Sequence, residues 1–306
     1  MKAAWIANFG GPEVITAVDM PLPSLPADAV HVRIEASGLN PLDLKLIAGY
    51  LQQVFPFTFP YVPGTDFSGV IAAVGDQVQH LRVGERVYGR SSPVAGGAFA
   101  AELVIAASEV CPIPADMSFE QAASLPTTYG TAHQALFEVG ALKAGERVLV
   151  HAAAGGVGSM AVQLAQQAGA HVIATASERN VALVKSLGAH EVIDYRKQDF
   201  SALRDIDLVL DPMGGETLEK SWAVLRAGGR IASLVEFGIQ NRDGKAGRSV
   251  FFSSAVPTLA AAVKQFEAGQ LQIITDSVYP LAEARTALEK LATGHVRGKV
   301  LLRTRN

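Results

Sequence analysis

Two patterns of apolar and polar positions divide this chain. Through roughly the first hundred residues the apolar runs are short and rich in β-branched and aromatic residues: Lys2–Ala7, Val14–Val18, Val30–Ala36, Phe67–Val74, Glu85–Tyr88 and Phe99–Ile105. Pro and Gly turns separate them, which predicts strands, and long helical periods are nearly absent. A mainly β domain follows, with a partly open barrel as its natural form. Pro112-Ile113-Pro114 makes a stiff boundary, and Ser118 then opens a helical stretch over Phe119–Leu125, with another over Tyr129–Val139.

From Glu146 the pattern changes. Arg147 to Ala152 is a short buried-strand run, Ala153 to Gly158 a turn of small residues, and Val157, Met160, Ala161, Leu164, Ala165 and Ala168 recur at helical spacing. Gly169 stops that helix, and His171–Ala176 reads as a second buried strand. The alternation continues through helix Val181–Leu187 (stopped by Gly188), strands Glu191–Asp194 and Asp207–Leu210, helix Glu216–Leu225 (closed by Gly228-Gly229) and strand Arg230–Val235. Crossovers this short favour a doubly wound parallel sheet with a ligand at the carboxyl ends of its strands. Leu271–Tyr279 and Lys299–Leu302 return to the strand pattern, so the tail is expected to rejoin the first domain. The expected fold class is α/β, with a mainly β domain over 1–117 and 268–306 and a doubly wound parallel-sheet domain over 118–267 inserted in it.

The turn after the first strand of the inserted domain carries the clearest chemistry. Small residues at Ala154, Gly155, Gly156 and Val157 let backbone approach a pyrophosphate, whose charge meets the amides and positive dipole end of the following helix. The first glycine of the usual G-x-G-x-x-G string is Ala153 here, but strand, turn, helix and strand follow in the right order. NAD-specific sites place an Asp or Glu about 20 residues on, against the ribose 2′-hydroxyl. Here Ser177-Glu178-Arg179 stands there instead, and a hydroxyl beside a guanidinium suits a 2′-phosphate. NADPH is therefore the expected cofactor. Two alternatives stay open: Ser177 as a plain helix cap with Arg179 solvated, and Glu178 turned inward to bind NADH.

Composition narrows the classes. A chain of 306 residues holds two domains or one large one, and a net charge of −3 gives no electrostatic footprint for nucleic acid or an anionic membrane. The single cysteine, Cys111, excludes an internal disulfide and a cysteine-rich metal site, pointing to a reducing cytoplasm; its simplest role is as a buried small hydrophobe. Despite a mean hydropathy of +0.24 there is no run long enough to cross a bilayer, and MKAAWIANFGG lacks the apolar core of a signal peptide.

Four strings together resemble the medium-chain dehydrogenase/reductase superfamily: Ala36 to Asp43 (ASGLNPLD), Val62 to Gly69 (VPGTDFSG), the small-residue turn, and Gly294 to Lys299 (GHVRGK). Within it, the chain is similar to the zinc-independent quinone oxidoreductases, especially the branch with alkenal and enone reductases. That resemblance implies a GroES-like mainly β catalytic domain, a Rossmann cofactor domain and a homodimer. Zinc-dependent relatives carry Cys where this chain has Asn40 and His where it has Thr65, and neither side chain replaces a thiolate or an imidazole on zinc. No metal site is expected. Hydride transfer without a Lewis acid needs an acceptor already electrophilic, so the expected substrates are small quinones or α,β-unsaturated carbonyls. Two alternatives are a bulkier activated alkene such as an enoyl thioester, and a non-catalytic NADPH-binding protein of the crystallin or sensor kind.

The catalytic candidates are Asn40, as amide donor to the carbonyl oxygen or as a structural turn before Pro41; Asp43, as orienting acid or plain helix-start carboxylate; and Tyr50, with Lys45, as proton donor or bystander. By resemblance, Thr131 meets the nicotinamide side, Tyr195 lies near the 2′-phosphate or packs at a strand end, and His295 and Arg297 sit in a terminal turn that closes over the cofactor or is solvated. Phe55, Phe57, Phe59 and Tyr61 line a flat substrate or pack a core, and Phe237–Ser249 reads as a mobile flap or a solvated linker.

Overall fold

The computed structural model describes residues 1–252 and 254–305, and these form two compact units, Met1–Thr127 with 254–305, and Thr128–Phe252. In the first stretch, β1 (Lys2–Trp5) pairs with β2 (Thr16–Asp19), and β3 (Ala29–Gly38) is followed by helix α1 (Pro41–Ile47). Then come β4 (Asp66–Val74), β5 (Arg86–Arg90), β6 (Glu102–Ala106) and β7 (Val110–Pro112). β3 runs antiparallel to both β4 and β6, so both its edges are satisfied, and Val30, Val32 and Ile34 alternate into a core with Phe67, Ile71 and Val87. Helix α2 (Phe119–Ala123) starts at a capping box in which Ser118 and Gln121 satisfy each other's amides. α3 (Pro126–His133) runs on into a π-helical turn over Gln134–Val139.

The second unit contains β8 (Arg147–Val150), α4 (Gly156–Gln167), β9 (His171–Ala176), α5 (Val181–Ser186), β10 (Glu191–Asp194), β11 (Ile206–Asp211), α6 (Gly215–Val224), β12 (Leu225–Ser233) and β13 (Ala246–Ser249). Its sheet has the order β10-β9-β8-β11-β12-β13 and every pairing is parallel, the doubly wound order with its switch point beside β8. Val148, Leu149 and Val150 are fully buried, as an unbroken apolar run must be in a sheet covered on both faces. At the amino-terminal end of the sheet, Arg230 binds Glu146 (2.6 Å) and Arg226 binds Asp207, a charged lock at the end opposite the glycine turn.

The tail begins with α7 (Val256–Glu267) and continues through β14 (Thr275–Pro280), α8 (Ala284–Ala292) and β15 (Lys299–Arg303). β15 pairs antiparallel with β3, completing the first unit's sheet. α8 buries Ala284, Ala287 and Leu288, at helical spacing, against Ile6, Ile15, Ile47 and Leu302. Among the described residues no helix is long and apolar enough to cross a membrane.

Several expectations need correcting. The first unit contains α1, α7 and α8, which the strand pattern of that region does not show. Ser68 Oγ donates to the Phe119 carbonyl (2.7 Å) and Tyr88 Oη to that of Leu259 (2.9 Å), so sheet residues hold both α2 and α7 within the first unit. The stretch Phe237–Ser249 is no simple flap, since its end forms β13, the edge strand beside β12. β12 also starts earlier than expected, at Leu225, and Gly228 (φ +72°) lies at an irregularity inside it rather than closing a helix. Phe57 stacks on buried Tyr61 with ring centroids 3.8 Å apart, while Phe59 stays 39% exposed. Cys111 is half-buried, with its thiol pKa pushed up by burial.

Candidate functional site

In the second unit, the turn after β8 is fastened from below by a chain of hydrogen bonds. Thr175 Oγ1 on β9 accepts the Ala152 amide (3.3 Å) and lies 3.1 Å from His151 Nδ1; the other ring nitrogen lies 3.0 Å from Ser221 Oγ, which donates to the Thr217 carbonyl (2.7 Å). Because the Ser221 proton is committed to Thr217, His151 carries its own proton on Nε2 and accepts from Thr175 at Nδ1. Burial lowers the His151 pKa to about 4, against an opposing pull from Asp211, so the ring is neutral at pH 7 and the direction of every bond is fixed. The Ala153 amide adds a bond to the Thr175 carbonyl (3.0 Å).

The turn itself is tight. Ala152 holds φ at +48°, a left-handed conformation that alanine adopts only when its surroundings impose it. Ala154 is buried, Gly155 and Val157 are half-buried, and α4 begins at Gly156, so the first-turn amides that lack helical carbonyl partners emerge here. A Cβ on Gly158 would lie 2.4 Å from the Ala152 carbonyl oxygen, so that glycine is required for the helix to approach the strand. Asp211, buried at the end of β11, accepts the amides of Met213 and Gly214 (3.0 Å each) and the Ser233 hydroxyl (2.8 Å), shaping the neighbouring turn. Thr131, on α3, is buried.

Ser177 and Tyr195 are the first residues beyond β9 and β10. Because Asp194 pairs with Ala176 across these parallel strands, the two stand side by side. Ser177 is an N-cap by position, but its hydroxyl does not cap the helix; it accepts from Asn180 Nδ2 (3.2 Å). Arg179 is exposed, Tyr195 is 49% exposed, and the Arg196 guanidinium lies 5.9 Å from the Tyr195 ring centroid. Glu178 turns to Lys197 (2.6 Å).

In the first unit a second polar group is buried at the start of α1. Asn40 is the N-cap of that helix, and Asp43 Oδ2 accepts its backbone amide (2.7 Å). Asn40 Nδ2 donates to Asp66 Oδ2 (3.0 Å) and, more distantly, to Thr65 Oγ1 (3.5 Å), while Lys299 Nζ donates to Asn40 Oδ1 (2.5 Å) and to Asp66 (2.9 Å). Thr127 Oγ1 donates to Asp66 Oδ1 (2.6 Å) and accepts from Arg90 Nε (3.1 Å). Burial, partly offset by the Asn40 amide, raises the Asp43 pKa to about 7; Asp66 pushes the same way, and Lys299 and Arg90 oppose it. Burial also raises Tyr61 and lowers Arg90.

The structure therefore joins Asn40 to Asp43, but both ends of the Asn40 amide are engaged and the residue is 3% exposed. Tyr50 stands apart from them at 81% exposure, near Lys45 only along the backbone. His295 and Arg297 are exposed in the last turn before β15, with the Arg297 amide on Asp276 (2.9 Å). Sequence reasoning missed Asp66, Arg90, Thr127 and Lys299 as one network, although Asp66 and Lys299 lie inside two of the four motifs named above.

Comparison with known proteins agrees with this architecture. The family model described as alcohol dehydrogenase GroES-like domain matches residues 26–115, and that described as zinc-binding dehydrogenase matches 187–302. Human quinone oxidoreductase is 34% identical over 325 aligned positions, covering 99% of this chain and 97% of its own. The chain belongs to the medium-chain dehydrogenase/reductase superfamily. Among solved structures, the quinone oxidoreductase of Coxiella burnetii superposes with a TM-score of 0.93 at 34% identity, covering 100% of this chain and 99% of its own. The Escherichia coli quinone oxidoreductase complexed with NADPH gives 0.88 at 28%, covering 99% and 100%. This medium-chain dehydrogenase/reductase is an oxidoreductase with the two-part architecture of those enzymes.

The zinc in the second family description has no counterpart in these residues. Asn40 and Thr65 offer a neutral amide and a hydroxyl, and the buried Asp66 carboxylate already has the Lys299 ammonium as its cation. Among the described residues, no three His, Cys, Asp or Glu side chains come together to hold a metal ion.

Proposed function

We propose that this chain is an NADPH-dependent, zinc-independent reductase that transfers hydride to quinones or α,β-unsaturated carbonyl compounds. The observation that carries the cofactor choice is the end of β9: Ser177 and Tyr195 stand side by side with Arg179 and Arg196 close in sequence, and the nearby Glu178 carboxylate is bound to Lys197 instead of facing a ribose hydroxyl. In this reading the turn from Ala154 to Val157 holds the pyrophosphate, Ser177, Arg179 and Tyr195 hold the 2′-phosphate, and Thr131 lies toward the nicotinamide.

When bound, NADPH supplies a hydride. The protein holds its phosphates with amides and guanidinium groups, and the neutral His151 ring braces the turn from beneath through Thr175 and Ser221. Asn40 is the polar contact proposed for the acceptor's oxygen, through the Nδ2 hydrogen that otherwise reaches only the distant Thr65 Oγ1 (3.5 Å), with Lys299 fixing its carbonyl and Asp66 its other hydrogen. Asp43 acts through Asn40 by fixing its backbone, and Tyr50, open to water, is the proposed source of a proton. An acceptor that is already conjugated fits a position where Asn40 and Thr65 supply hydrogen-bonding groups in place of a thiolate and an imidazole. The test is calorimetric titration of Arg179→Ala with both cofactors. NADPH affinity should fall about tenfold, the loss expected for one charge-assisted hydrogen bond, with NADH little changed. Equal weakening of both would overturn the phosphate assignment.

A further inference from the structure

We infer that Lys197 sets cofactor preference in this chain by holding Glu178 away from the ribose 2′ position while adding its own charge to the 2′-phosphate pocket. The inference rests on the proposed nucleotide site and names the residues that decide which nucleotide it accepts. Glu178 lies two residues past Ala176, which ends β9, and about 20 beyond the glycine turn, near the place from which a carboxylate reaches a ribose 2′-hydroxyl in NAD-binding folds. Left alone, it would favour NADH and repel a 2′-phosphate.

The turn after β10 prevents this. The amides of Lys197 and Gln198 both bond the Asp194 carbonyl (2.9 and 2.8 Å), and the Arg196 amide bonds Asp194 Oδ1 (3.1 Å), so the chain folds back on itself at once. That return sends Lys197 across to the β9 end, where Nζ meets Glu178 Oε1 at 2.6 Å and the Glu178 carboxylate raises the lysine pKa. Both side chains remain largely exposed, 61% for Lys197 and 72% for Glu178, so the pair contributes little to stability. Its effect is on local charge. Arg179, Arg196 and Lys197 against Glu178 and Asp194 give three cations and two anions about the two turns, a small surplus that suits a phosphate monoester.

The experiment is isothermal titration of NADPH and NADH, at one fixed ionic strength, into the full chain and into Lys197→Met, Glu178→Gln and the double variant. Removing the lysine should weaken NADPH about tenfold and tighten NADH at least about twofold, because a cation leaves the phosphate and a carboxylate is released toward the hydroxyl. In the Glu178→Gln background the same change should weaken NADPH but no longer tighten NADH. Wild-type affinities test the cofactor reading itself, and the ratio in the variants tests Lys197. Lys197→Met shifting both nucleotides equally, or tightening NADH even without Glu178, would overturn the inference.

Discussion

Replacing Asp43 with asparagine isolates the energetics of the buried group at the start of α1. The substitution keeps an oxygen to accept the Asn40 amide and removes a charge that burial disfavours. Folding raises the Asp43 pKa from 3.8 to about 7, so between those values the folded chain binds a proton that the unfolded chain has released. Wild-type stability therefore falls as pH rises through this window and levels off above it. With those two pKa values, the loss between pH 5 and pH 8 is about 2–3 kcal/mol. The variant lacks this slope. Its new Nδ2 takes the place of Oδ1, which has no hydrogen-bond partner, and adds a pH-independent cost of roughly 1–3 kcal/mol. Urea unfolding of both proteins at pH 5, 6, 7 and 8 measures the difference directly, because all other titrations occur in both chains. The variant should gain about 2–3 kcal/mol on the wild type between pH 5 and pH 8. A difference constant to within about 0.5 kcal/mol would refute the reasoning, since Asp43 would then titrate alike in both states.

Two more outcomes follow from the same geometry. Lys299→Met should destabilise the chain by roughly 3–5 kcal/mol in urea, because it leaves Asp66 a buried charge without its cation, and adding Asp66→Asn should recover a large part of that loss. Gly158→Ala places a methyl group 2.4 Å from the Ala152 carbonyl; a cost of about 1–3 kcal/mol and weakened nucleotide binding, read by calorimetry, are expected.

Much of the second unit is legible in the sequence because its strands are buried on both faces and its glycines mark the ends. His171–Ala176 and Glu191–Asp194 fall where the pattern places them. The first strand stops two residues early, at Val150, where the Ala152 amide donates to Thr175 Oγ1 and the chain bends into a left-handed turn that no local preference of alanine announces. Helix α1 is hidden for another reason: its seven residues are too few to show a period, and its start is fixed by the reciprocal fit of Asn40 and Asp43. The polar network is least legible. Lys299 and Asn40 are 259 positions apart, and only the pairing of β15 with β3 brings them together. A lysine at the start of an apolar strand reads as solvated, yet here it is 3% exposed. The motif Gly294 to Lys299 was the available signal, and its last residue is the buried one. Of the two roles open to Ser177, cap or phosphate ligand, the cap fails because its hydroxyl turns to the Asn180 side chain.

Steady-state oxidation of NADPH and, separately, NADH by the purified chain, with one small enone and one quinone as parallel acceptors and a chelator present throughout, tests the proposed reaction and its independence of metal. The predicted result is NADPH consumption with at least one acceptor, faster than with NADH and unaffected by the chelator. No turnover with either acceptor despite NADPH binding, or activity that the chelator abolishes and zinc restores, would contradict it.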